Sequence, residues 1–353
     1  MITQLGRTAR DLVSGGRGIL AADESIRTVS ARLEQAGVPP SEQNRRAYRQ
    51  MLVTTPELHR GISGVLLSDE TFGQRLDNGV PFPQAVTELG MLPGIRVDTG
   101  TTPLAGAPGE TVTEGLDNLR KRLTGYGERG ARFATWRAVI RIDEGLPTER
   151  ALRANAHALA RYAALCQETG VVPIIEPDVL ADGAHTIRTC ADVTSVALLL
   201  VMRELHDAGV DISGVVLTPA MVLAGMSSGC HPDPDEVADR TVRALQLVVS
   251  AELAGVAFLS GAQSPVTATE NLAATARKDA PWPLTFSFGR ALVDPALAAW
   301  RGDPVRVQAG QQALAQRVEH NNAAVQGRAV NTRTQIGVPS LDSPLDDAFE
   351  GLD

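Results

Sequence analysis

The chain has 353 residues, of which 43% are apolar and 21% charged, with a formal net charge of −8. That is enough for one large domain or two ordinary ones around a sizeable core, and the composition excludes a disordered or fibrous chain. The acidic balance offers no electrostatic footprint for nucleic acid or an anionic membrane, and the longest apolar run, around 196–202, is too short to span a bilayer.

The opening MITQLGRTAR has no apolar h-region, so nothing points to secretion. Cys166, Cys190 and Cys230, without a CxxC pair, form neither a disulfide framework nor a zinc finger. A cytoplasmic protein is expected.

In chain order, eight short β-branched or aliphatic runs read as strands: 18–23, 62–68, 94–98, 133–139, 171–176, 214–218, 255–260 and 284–290. Between them, segments 41–53, 112–128, 148–169, 189–208, 235–254 and 266–278 carry apolar residues at three-to-four spacing and read as helices. Eight such α/β units predict a closed (β/α)8 TIM barrel in one domain, 1–330. An open doubly wound sheet would usually carry a Gly-rich turn after its first strand, and AADES is not one. The last stretch, 331–353, is acidic and punctuated by Pro and Ser, and reads as a mobile tail.

Reacting groups of such barrels sit at the C-terminal ends of strands and in the loops that follow. Those positions hold Asp23 with Glu24 and Ser25, then Ser68, Arg96 with Asp98, and Thr135 with Arg137. Glu176 with Asp178, Thr218, Ser260–Gly261 and Gly289–Arg290 complete the set. A small residue and a glycine after strand seven expose backbone N–H groups, and Arg290 after strand eight adds a planar double donor. Together they read as a phosphate clamp or, more plainly, as two turn glycines and a surface arginine. Asp23, Glu176 and Asp178 read as a carboxylate cluster across the mouth, or singly as a helix cap and a Pro-punctuated strand end. Their recurrence on successive strand ends favours a site. The six histidines show no HxH or HxxxH spacing, which argues against a histidine zinc site. Cys230 and His231 are adjacent, and adjacent side chains rarely point at one another.

The blocks GRGILAADES, EQNRRAYRQML, NGVPFPQ, GIRVDTGTTPLAG, GLDNL, ANAHALARYAALCQETGVVPIIEPDVLADG, FLSGAQS and LTFSFGRAL run colinearly from about residue 8 to 328. In these blocks the chain resembles the class I fructose-1,6-bisphosphate aldolase family. The resemblance implies a barrel, a phosphorylated small-molecule substrate, a homo-tetramer, and a Schiff base between the substrate ketone and a lysine ending strand six. In GVVLTPAMV the corresponding residue is Thr218. A second active-site lysine, on strand four, corresponds to Thr135 in FATWR. A third corresponds to Arg96 in GIRVD, and a fourth to Ala31 in SARL. The family's C-terminal tyrosine has no counterpart, since the chain ends in Asp353 and its tyrosines are Tyr48, Tyr126 and Tyr162. Other positions match: Asp23, Arg137 and Glu176 correspond to residues that handle substrate hydroxyls and protons, and Asp178 stands where a second glutamate is usual. Ser260, Gly261, Gly289 and Arg290 match the C1-phosphate site. Ser25, Arg32 and, by charge, Arg96 match parts of a second phosphate site.

Of the 33 basic residues, two are lysine, Lys121 and Lys278. Arginine at 96 keeps the charge, but a threonine hydroxyl cannot form an iminium, because only an amine expels carbonyl oxygen to give C=N. Lys121 and Lys278 fall on the helices before strands four and eight, which reads as the end of the barrel away from the mouth. Asp23, Glu176 and Asp178 would then face one fixed cation, Arg137, and so large an excess of negative charge is costly to bury. A carboxyl that keeps its proton would relieve it. So would a divalent ion (Mg2+ or Mn2+) on Asp23, Glu176 and Asp178, or a cation brought by the substrate. The reading is a divergent aldolase-like enzyme for a phosphorylated ketose or triose, using Glu176 as acid/base in lyase, aldol or related enolisation chemistry without a lysine Schiff base. The alternatives are a non-catalytic sugar-phosphate-binding protein and, third, a genuine fructose-bisphosphate aldolase.

Overall fold

Eight runs of mainly Val, Ile, Leu, Ala and Phe form the strands of a barrel, because each must be buried on both faces. A computed structural model describes residues 3–328; the tail expected at 331–353 lies outside them. The strands are β1 (Gly18–Ala22), β2 (Ile62–Leu67), β3 (Leu92–Arg96) and β4 (Phe133–Ile140), then β5 (Val172–Val179), β6 (Val216–Leu217), β7 (Gly255–Phe258) and β8 (Leu284–Phe288). Each pairs in parallel with its neighbours in chain order, and β8 closes on β1.

The helices are α1 (Gln4–Val13), α2 (Ile26–Gln35), α3 (Glu42–Val53), α4 (Asp69–Gly73), α5 (Phe82–Glu88) and α6 (Leu119–Glu128). They continue with α7 (Glu149–Glu168), α8 (Ile187–Asp207), α9 (Pro234–Gln246), α10 (Pro265–Ala276), α11 (Arg290–Trp300) and α12 (Val307–Val325). Many start at a hydroxyl or carboxylate that accepts an otherwise orphan N–H, as Ser25, Ser68, Thr148, Asp233 and Ser264 do. Among the described residues no helix is long and apolar enough to cross a membrane.

Three expected boundaries move furthest. The helix expected at 112–128 starts only at Leu119, because Thr111–Thr113 pairs antiparallel with Thr101–Pro103. The helix expected at 235–254 ends at Gln246, ahead of the β-branched pair Val248–Val249, which disfavours helix. Strand β5 runs on through Pro177 to Val179. Its β4 side is paired throughout, whereas β6 pairs with it only at Ile174 and Ile175, so no ladder partner asks for the missing Pro177 N–H.

The lower interior is apolar. Leu12 and Val13 of α1 plug the N-terminal end of the barrel against Ile19, Phe133, Val172 and Val216. The Phe133 ring fits because its neighbour on β3 is Gly94, where a Cβ would lie 2.2 Å from the ring.

Candidate active site

Alternation along each strand carries the interior from apolar to polar at mid-height. On β4 the inward series is Phe133, Thr135, Arg137; on β5 it is Val172, Ile174, Glu176, Asp178; on β6 it is Val216 and then Thr218. Asp23 follows β1, while Arg96 and Asp98 end β3. Thr135 and Thr218 have no exposed surface, and Asp23, Glu176 and Asp178 are buried.

These side chains meet in pairs. The Thr135 hydroxyl donates to Glu176 Oε1 at 2.5 Å. Arg137 Nε donates to Asp178 Oδ2 at 2.8 Å. Arg96 Nε lies 2.9 Å from Asp23 Oδ2 and 3.7 Å from Asp98 Oδ2. Asp98 also accepts from the backbone N–H groups of Gly100 and Arg137. The register Ile174↔Val216 and Ile175↔Leu217 brings Thr218 alongside Glu176. The Thr218 N–H donates to the Ile175 carbonyl at 2.8 Å, whereas its buried hydroxyl has no hydrogen-bond partner.

The charge count expected from sequence changes in its members. Arg96 joins Arg137 as a second cation, and Asp98, absent from the expected cluster, joins as a fourth carboxylate. Among the described residues the mouth therefore keeps its excess of negative charge. Burial pushes the Glu176 carboxyl up to about 7, against the opposing pull of Arg96 and with a push from Asp23. Burial raises Asp98 as well. A proton held on Glu176 relieves one of the two excess charges and leaves the other. The divalent-ion expectation is not supported: among the described residues no three His, Cys, Asp or Glu side chains are grouped to hold a metal. Asp178 turns to Arg137, Asp23 to Arg96, and Glu176 to Thr135.

Neither lysine turns inward. Lys278 Nζ lies 2.6 Å from Asp239 on α9. Lys121 is exposed in the first turn of α6. The expectation that it sits at the far end of the barrel is corrected. Helix α6 starts on the mouth side, where its Arg122 donates to the carbonyl of Val97 just beyond β3. Lys121 is kept out by direction instead: it stands about 200° around the helix from buried Leu119.

The residues expected after β7 and β8 come together. Gly261 takes φ +55, and Arg290 Nη2 donates to its carbonyl at 3.1 Å, tying the two loops. Gly289 precedes α11, which has no side-chain cap, so orphan N–H groups are left at that helix end. Ser260 is buried beside them.

Each residue of the second expected phosphate set has a partner within the chain. The Ser25 hydroxyl caps α2, accepting from the Thr28 N–H at 3.1 Å, and Arg96 is turned to Asp23. Arg32 is buried, and its guanidinium binds Glu24 and Asp294 and approaches the Tyr48 hydroxyl at 3.5 Å. The second Glu24 oxygen meets Arg49 at 2.6 Å, and burial lowers Arg49 to about 10. Sequence reasoning missed this cluster, although Glu24 and Arg32 stand eight residues apart across the α2 cap. Cys230 and His231 lie in an exposed stretch of loop.

The fructose-bisphosphate aldolase class-I family model matches residues 4–339. The chain is 46% identical over 329 residues to a probable fructose-bisphosphate aldolase class 1 of Xanthomonas axonopodis pv. citri, covering 93% of this chain and 98% of that one. It is 44% identical to fructose-bisphosphate aldolase C of Rattus norvegicus, covering 92% and 90%. Among solved structures it superimposes with a TM-score of 0.90, at 41% identity, on fructose-bisphosphate aldolase from Plasmodium falciparum, crystallised with TRAP and a small-molecule inhibitor; 92% of this chain and 94% of that one are covered. With a closed eightfold barrel, polar strand ends and matches over nearly its whole length, the chain belongs to the class I fructose-bisphosphate aldolase family.

Proposed function

We propose that the chain is a divergent enzyme of this family that binds a phosphorylated ketose or triose and performs enolisation chemistry through proton transfer at Glu176, without a covalent lysine intermediate. Aldol cleavage, aldol addition and related isomerisation all belong to that chemistry. The observation that carries the reading is the make-up of the inward mouth. Among the described residues its cations are Arg96 and Arg137 and its strand-end hydroxyls are Thr135 and Thr218, while Lys121 stands on the outer helix α6 and Lys278 just past the end of α10. A guanidinium stays protonated in proteins, and a hydroxyl cannot give a C=N bond.

The remaining residues support the same reading. A carboxyl near 7 can both give and take a proton at neutral pH, and the Thr135 hydroxyl fixes its direction. Arg137, held by Asp178, is suited to substrate oxygens, and Asp23 to a substrate hydroxyl. Ser260, Gly261, Gly289 and Arg290 would anchor one phosphate; Ser25 and Arg96 would meet a second. A cytoplasmic homo-tetramer goes with the family reading.

A second reading is the family's own reaction on fructose 1,6-bisphosphate. In its favour stands the 46% identity to a protein named for that reaction.

Proton exchange tests the proposal. Dihydroxyacetone phosphate incubated with the protein in D2O is expected to take up deuterium next to its carbonyl, followed by NMR. Glu176→Gln is expected to bind the triose but lose the exchange. Exchange that persists in this variant removes Glu176 from the role. Binding without exchange in the wild type makes the chain a non-catalytic binding protein.

A further inference from the structure

The barrel mouth is left short of positive charge. Among the described residues Asp23, Asp98, Glu176 and Asp178 meet Arg96 and Arg137 at the C-terminal ends of the strands, over successive levels of the barrel mouth. Packed carboxylates of this kind are stable only with protons or further cations. A second, independent feature points into the same space. The Thr218 hydroxyl has no exposed surface and no hydrogen-bond partner, and strand alternation aims it inward beside Glu176. A buried hydroxyl left unmatched costs on the order of 1–3 kcal/mol unless something binds it.

We propose that the ligand supplies the missing cation: the site takes an amino-bearing phosphorylated carbonyl compound, with its ammonium group against Thr218 and Glu176. An ammonium has three donors and no acceptor. The Thr218 hydroxyl can accept one, and the carboxylates of Glu176 and Asp23 can accept the others, so that one group answers both the orphan hydroxyl and the charge excess. A neutral sugar hydroxyl could satisfy Thr218 but not the charge. The inference rests on reading the mouth as a phosphate-anchored carbonyl site, and it narrows the substrate class of that site.

Titration calorimetry on the full chain at neutral pH and constant salt tests it. The probes are glucosamine 6-phosphate, glucose 6-phosphate and N-acetylglucosamine 6-phosphate, with inorganic phosphate as the baseline. The amine is expected to bind at least about tenfold more tightly than its two neutral counterparts. The preference is expected to vanish in Thr218→Lys and, separately, in Thr135→Lys, each of which supplies an ammonium from the chain itself. A preference that survives both variants puts the amine elsewhere and overturns the site. Equal binding of all three sugars, tighter than phosphate, overturns the amine and leaves the phosphate-anchored reading standing. Binding of none beyond phosphate overturns both.

Discussion

The Thr135 hydroxyl reaches from β4 to donate to Glu176 Oε1 on β5 at 2.5 Å. A neutral donor steadies a carboxylate less than a charged one would, so burial prevails and the carboxyl is pushed up to about 7. Thr135→Val keeps the shape and removes the donor. The Glu176 carboxyl of that variant is expected to titrate higher than in the wild type, followed by carbon NMR of the labelled carboxyl. An unchanged or lower value would show that the hydroxyl does not set its proton affinity.

The same burial makes stability depend on pH. Folded Glu176 holds its proton up to about 7, whereas in the unfolded chain it keeps the ordinary 4.5. Between those values the folded state binds more protons, so stability falls as pH rises through the window, by on the order of 3 kcal/mol from this group. Asp98, raised by burial too, adds in the same direction. Glu176→Gln removes the Glu176 share. Urea unfolding across the window should therefore show the variant gaining on the wild type as pH rises. Parallel curves would contradict the assignment.

Arg32 is predicted to act on stability rather than on ligand binding. It is held by Glu24 and Asp294 behind the α2 cap, and breaking one member of such a buried cluster costs about 3 kcal/mol. Arg32→Met is expected to lose about that much in denaturant titration while its affinity for dihydroxyacetone phosphate stays within about twofold of the wild type. Intact stability with weakened binding would return Arg32 to the phosphate site.

The strands were readable because parallel strands buried on both faces leave continuous apolar runs, and the polar strand ends were readable because alternation is strict. Ends set by pairing were not: β5 passes through Pro177 because of what its neighbours leave unpaired, which no local pattern records. Helix α1 has few apolar residues, and its role as a plug depends on Phe133 and Val172, more than 100 residues away. Arg32 reads locally as a free basic residue, while its partner Asp294 lies 262 positions on. Glu176 and Asp178 look alike in IIEPD. Only the fold gives Asp178 a guanidinium and leaves Glu176 with a hydroxyl, in a buried place that pushes the Glu176 carboxyl up to about 7.

The most direct measurement is the intact mass of the full chain after borohydride reduction with dihydroxyacetone phosphate, beside an orthodox class I aldolase treated identically. The predicted result is an adduct on the aldolase and an unchanged mass for this chain. A reduced triose-phosphate adduct mapped to Lys121 or Lys278 would contradict the account, since an amine would then reach the carbonyl after all.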